Sequence, residues 1–99
     1  MGQAETRRPW GKVRDNRERH RFELDVDGQT ALAYYRIEDG EMVFTSTQTP
    51  PALQGQGVAS ELIRKALEFA REQGLKIRSE CSFVDAFLKK RPEFSDLAQ

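Results

Sequence analysis

Polar and apolar residues alternate from Arg21 to Val26, with Phe22, Leu24 and Val26 on one face and Arg21, Glu23 and Asp25 on the other. Successive strand side chains point to opposite faces, so this is the pattern of a half-buried strand. Asp27-Gly28 supplies a hairpin turn. Residues 30–37 follow, apolar on both faces (Ala31, Leu32, Ala33, Tyr34, Tyr35, Ile37), as a central strand requires. Glu38-Asp39-Gly40 turns the chain again into a third strand, Glu41–Gln48, built around Met42, Val43 and Phe44. Short turns between consecutive strands predict an antiparallel meander.

Thr49-Pro50-Pro51 ends the pairing, because consecutive prolines cannot donate to a ladder. The period then changes. Val58, Leu62, Ile63, Ala66, Phe69 and Ala70 recur at helical spacing, while Glu61, Arg64, Lys65, Glu68, Arg71 and Glu72 fall on the other side. This predicts an amphipathic helix over residues 57–73, with Gly74 as the residue that stops it. Residues 75–81 read as a fourth strand with Leu75, Ile77, Ser79 and Cys81 on one face. A strand–helix–strand order implies a right-handed crossover to a parallel neighbour. Ser82–Lys90 forms a short helix with Phe83, Val84, Phe87 and Leu88 inward. The expected fold class is α+β: a mainly antiparallel four-stranded sheet, one parallel strand–helix–strand unit and a short C-terminal helix. Residues 1–15 lack apolar periodicity, so residues 1–18 are expected to be an unstructured basic arm with Trp10 as a packing anchor, and residues 19–99 the domain.

Ninety-nine residues suffice for one modest core. Hydrophobic residues make up 37% and charged residues 32%, a globular composition with a polar surface. No apolar run approaches the roughly 18 residues of a membrane helix, and the polar start does not resemble a signal peptide. The single cysteine, Cys81, has no intramolecular partner, so a reducing, cytoplasmic setting is expected. Net charge is zero, yet residues 1–21 hold seven Arg/Lys against three acids. Interleaved acids and the lack of an aromatic array argue against nucleic acid as the partner of this arm. One His, one Cys and no spaced carboxylate cluster argue against a metal site.

The chemistry concentrates in Gln54-Gly55-Gln56-Gly57-Val58-Ala59, two close glycines at the start of the helix. Glycines let a ligand approach the main chain, and a helix start presents unpaired amides and a positive dipole end, which favours a phosphate or diphosphate. The loop lacks the Gly-Lys-Ser/Thr of a nucleotide P-loop and the third glycine of a dinucleotide fingerprint. On the loop alone, a plain connection between elements stays open.

Gln54-x-x-Gly57-x-Ala59 resembles the Gln/Arg-x-x-Gly-x-Gly/Ala signature of the GNAT superfamily of acetyl-coenzyme A-dependent N-acetyltransferases. Ser46-Thr47-Gln48-Thr49-Pro50, Leu75-Lys76, Glu80-Cys81-Ser82-Phe83-Val84 and Lys90-Arg91-Pro92-Glu93-Phe94-Ser95-Asp96-Leu97 extend the likeness to a short single-domain branch of that superfamily, over residues 20–97. The resemblance implies that strands 42–48 and 76–81 run parallel and splay, with the pantetheine arm entering the gap. Backbone groups near Thr47, Gln48 and Thr49 would bond its amides. The segment Gln54, Gly55, Gln56, Gly57, Val58, Ala59 and Ser60 would hold the diphosphate. Cys81 and Phe83 would lie near the sulfur end, and Cys81 and Thr47 are the candidates for a direct role in the chemistry. One N–H of the third strand would face the thioester carbonyl.

The chain also departs from that pattern. Ser46 stands where many members of the branch carry a histidine, and a serine is no base near neutral pH without a partner. Phe83 and Phe87 occupy the region of the tyrosine often invoked as general acid. Glu80 alternates to the face away from Cys81, and His20 reads as a surface residue. Tyr34 and Tyr35 read as core and sheet-face residues. Lys89, Lys90 and Arg91 form a basic run, read either as a solvated helix end or as a contact for a cofactor phosphate. The implied activity is acetyl transfer to an amine by direct attack, with water carrying the proton. The helices that larger members place between their first two strands are missing, since only three residues separate Val26 from Thr30. An open acceptor site follows, suited to a small-molecule, peptide or protein amine, in a monomer or weak homodimer. The rival readings are a coenzyme A-binding module with little catalysis and a small interaction domain using the basic arm.

Overall fold

The computed structural model describes residues 10–98. Its elements are β1 (Arg14–Asn16), β2 (Arg21–Val26), β3 (Gln29–Glu38), β4 (Glu41–Gln48), α1 (Val58–Glu72), β5 (Lys76–Ser79) and α2 (Ser82–Lys90), with single 3-10 turns at Arg17–Arg19, Pro51–Leu53 and Pro92–Phe94. The strands form one sheet in chain order, antiparallel from β1 to β4 and parallel between β4 and β5. The two hairpins turn through Asp27-Gly28 and Asp39-Gly40, all four residues at positive φ. That is the backbone of turns whose twist matches the flanking strands.

Phe22, Leu24, Val26, Ala31, Ala33, Met42, Phe44 and Ile77 project from one face of the sheet into a continuous core. Val58, Leu62, Ile63, Ala66, Leu67 and Ala70 of α1 and Val84 and Phe87 of α2 close it. On the other face Val43 stands opposite Arg36 and beside Arg78, and is fully buried. Arg36 pairs with Glu38 at 2.6 Å and Glu80 at 2.8 Å, and Arg78 with Glu38 at 2.8 Å and Glu41 at 3.1 Å. The outer edge of β5 is covered by the chain end, where the Ile77 N–H donates to the Leu97 carbonyl at 2.8 Å.

Several expectations are corrected. The sheet has five strands, not four, because Arg14–Asn16 pairs with β2. Its register sets Arg14 opposite Glu23, and that buried carboxylate accepts from Arg14 at 2.7 Å, Arg21 at 2.7 Å and Asn16 at 3.0 Å. The ordered chain therefore starts before residue 19; residues 1–9 of the expected arm lie outside the described residues. The first two strands are β1 and β2, joined by the single turn Arg17–Arg19, rather than Arg21–Val26 and the strand that follows Asp27-Gly28. The fourth expected strand, now β5, ends at Ser79, and Cys81 is the N-cap of α2 instead of a strand residue. Leu67 joins the buried face of α1 while Phe69 is half-buried. Phe83, expected inward, is 37% exposed.

Candidate functional site

β4 and β5 pair only from Glu41 with Lys76 to Phe44 with Ser79, closing with a bond from the Glu80 N–H to the Phe44 carbonyl at 2.8 Å. Beyond that point β4 stays on β3 through Ser46, Thr47 and Gln48, while the other chain turns at Cys81 into α2. The parallel strands thus part, and the outer edge of β4 faces a gap. The register of β3 against β4 also slips there: Tyr34 faces Ser46 and Tyr35 faces Phe44, so Thr45 is an extra residue. Such a bulge bends the strand and re-aims its backbone groups.

Pro50 ends the ladder and the chain tightens into Pro51–Leu53, pinned by buried Leu53. The Gln54 amide donates to the Thr49 carbonyl at 3.1 Å and the Gln56 amide to the Ala52 carbonyl at 2.8 Å. These glutamines brace the loop from within. Gly55 and Gly57 then take φ of 81° and 83°, a region costly for other residues. Gly57 is the N-cap of α1, has no side chain to cap the helix, and its carbonyl accepts the first helical bond, from the Glu61 N–H at 3.0 Å. The N–H groups of Val58, Ala59 and Ser60 precede that first bond and are the donors a helix start leaves without intrahelical partners. The positive end of the helix dipole lies at the same place.

A cavity of about 430 Å³ runs from the β4 edge to this helix start, lined by Thr47, Thr49, Leu53, Gln54, Gly55, Gly57, Val58, Ala59, Ser60 and Phe83. Phe83 forms part of its wall from α2, which accounts for its exposure. Most of the sequence-derived set is therefore gathered around one space. Three members are not in its lining. Gln48 is exposed and faces Leu32 across the sheet, Gln56 turns back to the loop, and Cys81 lies behind Thr47. Leu53 was missed; an apolar residue just before a glycine loop was the available signal.

Cys81 is 8% exposed, with its sulfur 3.4 Å from the Thr47 hydroxyl. Its backbone is fixed by Ser79, whose hydroxyl donates to the Cys81 carbonyl at 2.9 Å and accepts from the Cys81 N–H at 3.2 Å. Glu80 is on the opposite face, where Arg36 holds its carboxyl below the ordinary range. Ser46 is exposed beside Tyr34, whose hydroxyl accepts from Arg21 at 3.0 Å. His20 borders a separate cleft with Asp15, Tyr35, Phe69 and Gln73, toward the far end of α1. In that cleft the Tyr35 phenol donates to Asp15, and burial together with that carboxylate pushes its pKa up. No acid, histidine or lysine is among the described residues that line the 430 Å³ cavity.

Among the described residues no group of three or more His, Cys, Asp and Glu could hold a metal ion, and no helix is long and apolar enough to cross a membrane. A profile of the GCN5-related N-acetyl-transferases matches residues 21–97. The chain is 27% identical to the human protein NATD1 over 84 residues, covering 82% of this chain and 74% of that protein. It is 26% identical to NATD1 of Xenopus tropicalis, covering 82% and 77%. The solution structure of a GCN5-like N-acetyltransferase candidate from Staphylococcus aureus superposes with a TM-score of 0.71 at 28% identity, over 89% of this chain and 87% of that one.

Proposed function

The chain belongs to the GCN5-related N-acetyltransferase family, and from that premise we propose that it moves an acetyl group from acetyl-coenzyme A to an amine by direct attack. The observation that carries this reading is the uncapped start of α1, opening on a cavity that continues along the freed edge of β4. A diphosphate fits the amides of residues 55–60: at Val58, Ala59 and Ser60 it supplies the acceptors a helix start leaves missing, and it brings the charge the dipole favours. A Cβ built on Gly55 or Gly57 meets nothing within 4 Å, so open space surrounds that row. The β4 edge at Thr47, Gln48 and Thr49 presents peptide groups to an extended arm carrying amides of its own.

In this reading one N–H of β4, near the bulge at Thr45, faces the thioester carbonyl and stabilises its oxygen as charge develops. The amine nitrogen bonds to the carbonyl carbon, the carbon–sulfur bond breaks, and the amine proton leaves through water to the departing thiolate. Holding both reactants in the gap supplies much of the acceleration. Thr47, backed by the Cys81 thiol, lines and orients the sulfur end, Phe83 covers it, and the amine enters neutral. The single turn at Arg17–Arg19 leaves the acceptor side open, which suits a peptide or protein amine. Thermal stabilisation by acetyl-coenzyme A tests binding, since a ligand of the folded form raises stability by mass action. Release of free coenzyme A thiol with a panel of amines tests transfer. The absence of an acid, histidine or lysine among the described residues that line the cavity favours one second reading, a coenzyme A-binding module with little turnover. Stabilisation without thiol release is its signature.

A further inference from the structure

A second cleft, of about 330 Å³, opens toward the far end of α1, and it shares no lining residue with the 430 Å³ cavity among the described residues. Its floor is apolar: Met42, Phe69 and Leu75, with Ile37 beside them and 50% exposed. Covering such surface is favourable. Two opposite charges stand at its mouth. The Asp15 carboxylate accepts from the Tyr35 phenol through one oxygen and from Arg17 Nε at 3.3 Å through the other. A carboxylate offers about four lone-pair sites, so roughly half of that capacity is left, and the Tyr35 oxygen can still accept. Arg17 meets Asp15 through Nε alone, and its terminal nitrogens have no hydrogen-bond partner among the described residues. The frame behind these groups is fixed. His20, in the left-handed conformation, donates its N–H to the Arg17 carbonyl at 3.2 Å, and its own carbonyl accepts from the Tyr35 N–H at 2.9 Å.

The charges of Asp15 and Arg17 cancel, so this mouth selects neither an anion nor a cation. It selects a head group that carries both signs on an apolar body. We propose that the cleft binds a free α-amino acid with a large apolar side chain. The ammonium donates to Asp15 and to the Tyr35 oxygen. The carboxylate accepts from the terminal nitrogens of Arg17, a charge-assisted contact that a guanidinium makes in a planar fork. The side chain covers Ile37, Met42, Phe69 and Leu75. This site needs no coenzyme and is independent of the acetyl-coenzyme A reading. A solvated Asp15–Arg17 pair beside an idle crevice, the alternative, predicts no preference for a zwitterion.

Free leucine, isocaproate and isoamylamine share one branched body and differ only in the head group, so together they test the assignment on the unaltered chain. In an NMR titration without coenzyme, leucine, methionine and phenylalanine are expected to give saturable shifts at Ile37, Met42 and Leu75 and none at residues 55–60. Isocaproate, isoamylamine and free glycine are each expected to bind about tenfold more weakly than leucine, the scale of one lost charge-assisted contact or of a lost apolar body. The Arg17 side chain is 74% exposed, so Arg17→Gln leaves the core intact. It is expected to weaken leucine about tenfold and to leave isoamylamine unchanged, with Arg17→Lys restoring part of the loss. Equal affinity for leucine and either analogue would overturn the proposal. So would shifts confined to other parts of the chain, an equal effect of Arg17→Gln on leucine and isoamylamine, or no saturable response to any of the three amino acids.

Discussion

Replacing Gly57 by Ala separates the backbone's need for glycine from the ligand's. Gly57 has φ of 83°, and a Cβ there would meet nothing within 4 Å. The cost to the free protein is therefore conformational, about 1–2 kcal/mol for an L-residue in the left-handed region. For a domain of this size that lowers Tm by roughly 4–8 °C per kcal/mol. Gly40 provides a matched control: its φ is 78° and its surroundings are equally open, but it sits in the β3–β4 turn, where its carbonyl accepts from Lys76 beside the far end of α1. Gly40→Ala should cost about the same stability. Only the Gly57 methyl group would stand in the lining of the cavity, in the space assigned to the diphosphate. Urea denaturation of both variants gives the conformational cost, and calorimetric titration with acetyl-coenzyme A gives the rest. Gly57→Ala is expected to weaken binding about tenfold or more beyond Gly40→Ala, a difference of at least about 1.4 kcal/mol. Similar stability losses with identical affinities would refute the reasoning.

Three further outcomes test the scaffold and the sulfur end of the site. The Glu23 carboxyl is held at about 2 by Arg21, Arg14 and Asn16, against an ordinary 4.5; its contribution to stability is complete above 4.5 and fades as pH falls through 2. Glu23→Gln should therefore be most destabilising near neutrality and progressively closer to the parent chain as acid is added, in urea titrations at several pH values; a constant difference would contradict this. Tyr35→Phe removes the bond to Asp15 and should cost about 1–2 kcal/mol; an unchanged denaturation midpoint would show that bond to be idle. Cys81→Ala should lose about 1 kcal/mol of packing and keep most of its rate of coenzyme A release; near-complete loss of turnover in a folded variant would make the thiol a participant.

The parts of this fold legible in the sequence are those written in apolar periodicity. The alternation at Phe22, Leu24 and Val26 and the helical spacing of Val58, Leu62, Ile63, Ala66 and Ala70 both correspond to buried faces. β1 was not legible, because Arg14-Asp15-Asn16 carries no apolar signal. It is a strand through its register with β2 and the carboxylate of Glu23 between two arginines. Leu67 was missed because a helix lying across a sheet buries a wider stripe than its strictest period suggests. Phe83 looks inward by spacing, yet it borders a cavity, and a cavity exists only once α2 and the loop are placed. Gln54 and Gln56 sit in the recognisable motif, but their hydrogen bonds to Thr49 and Ala52 show a bracing task that no spacing rule reveals.

The most direct test of the account is the response of individual backbone amides in an NMR titration with acetyl-coenzyme A. The largest shifts are expected at residues 55–60, with a second set at Thr47, Gln48 and Thr49 along the freed edge of β4. Saturable binding that leaves residues 55–60 unmoved and shifts amides elsewhere would contradict it.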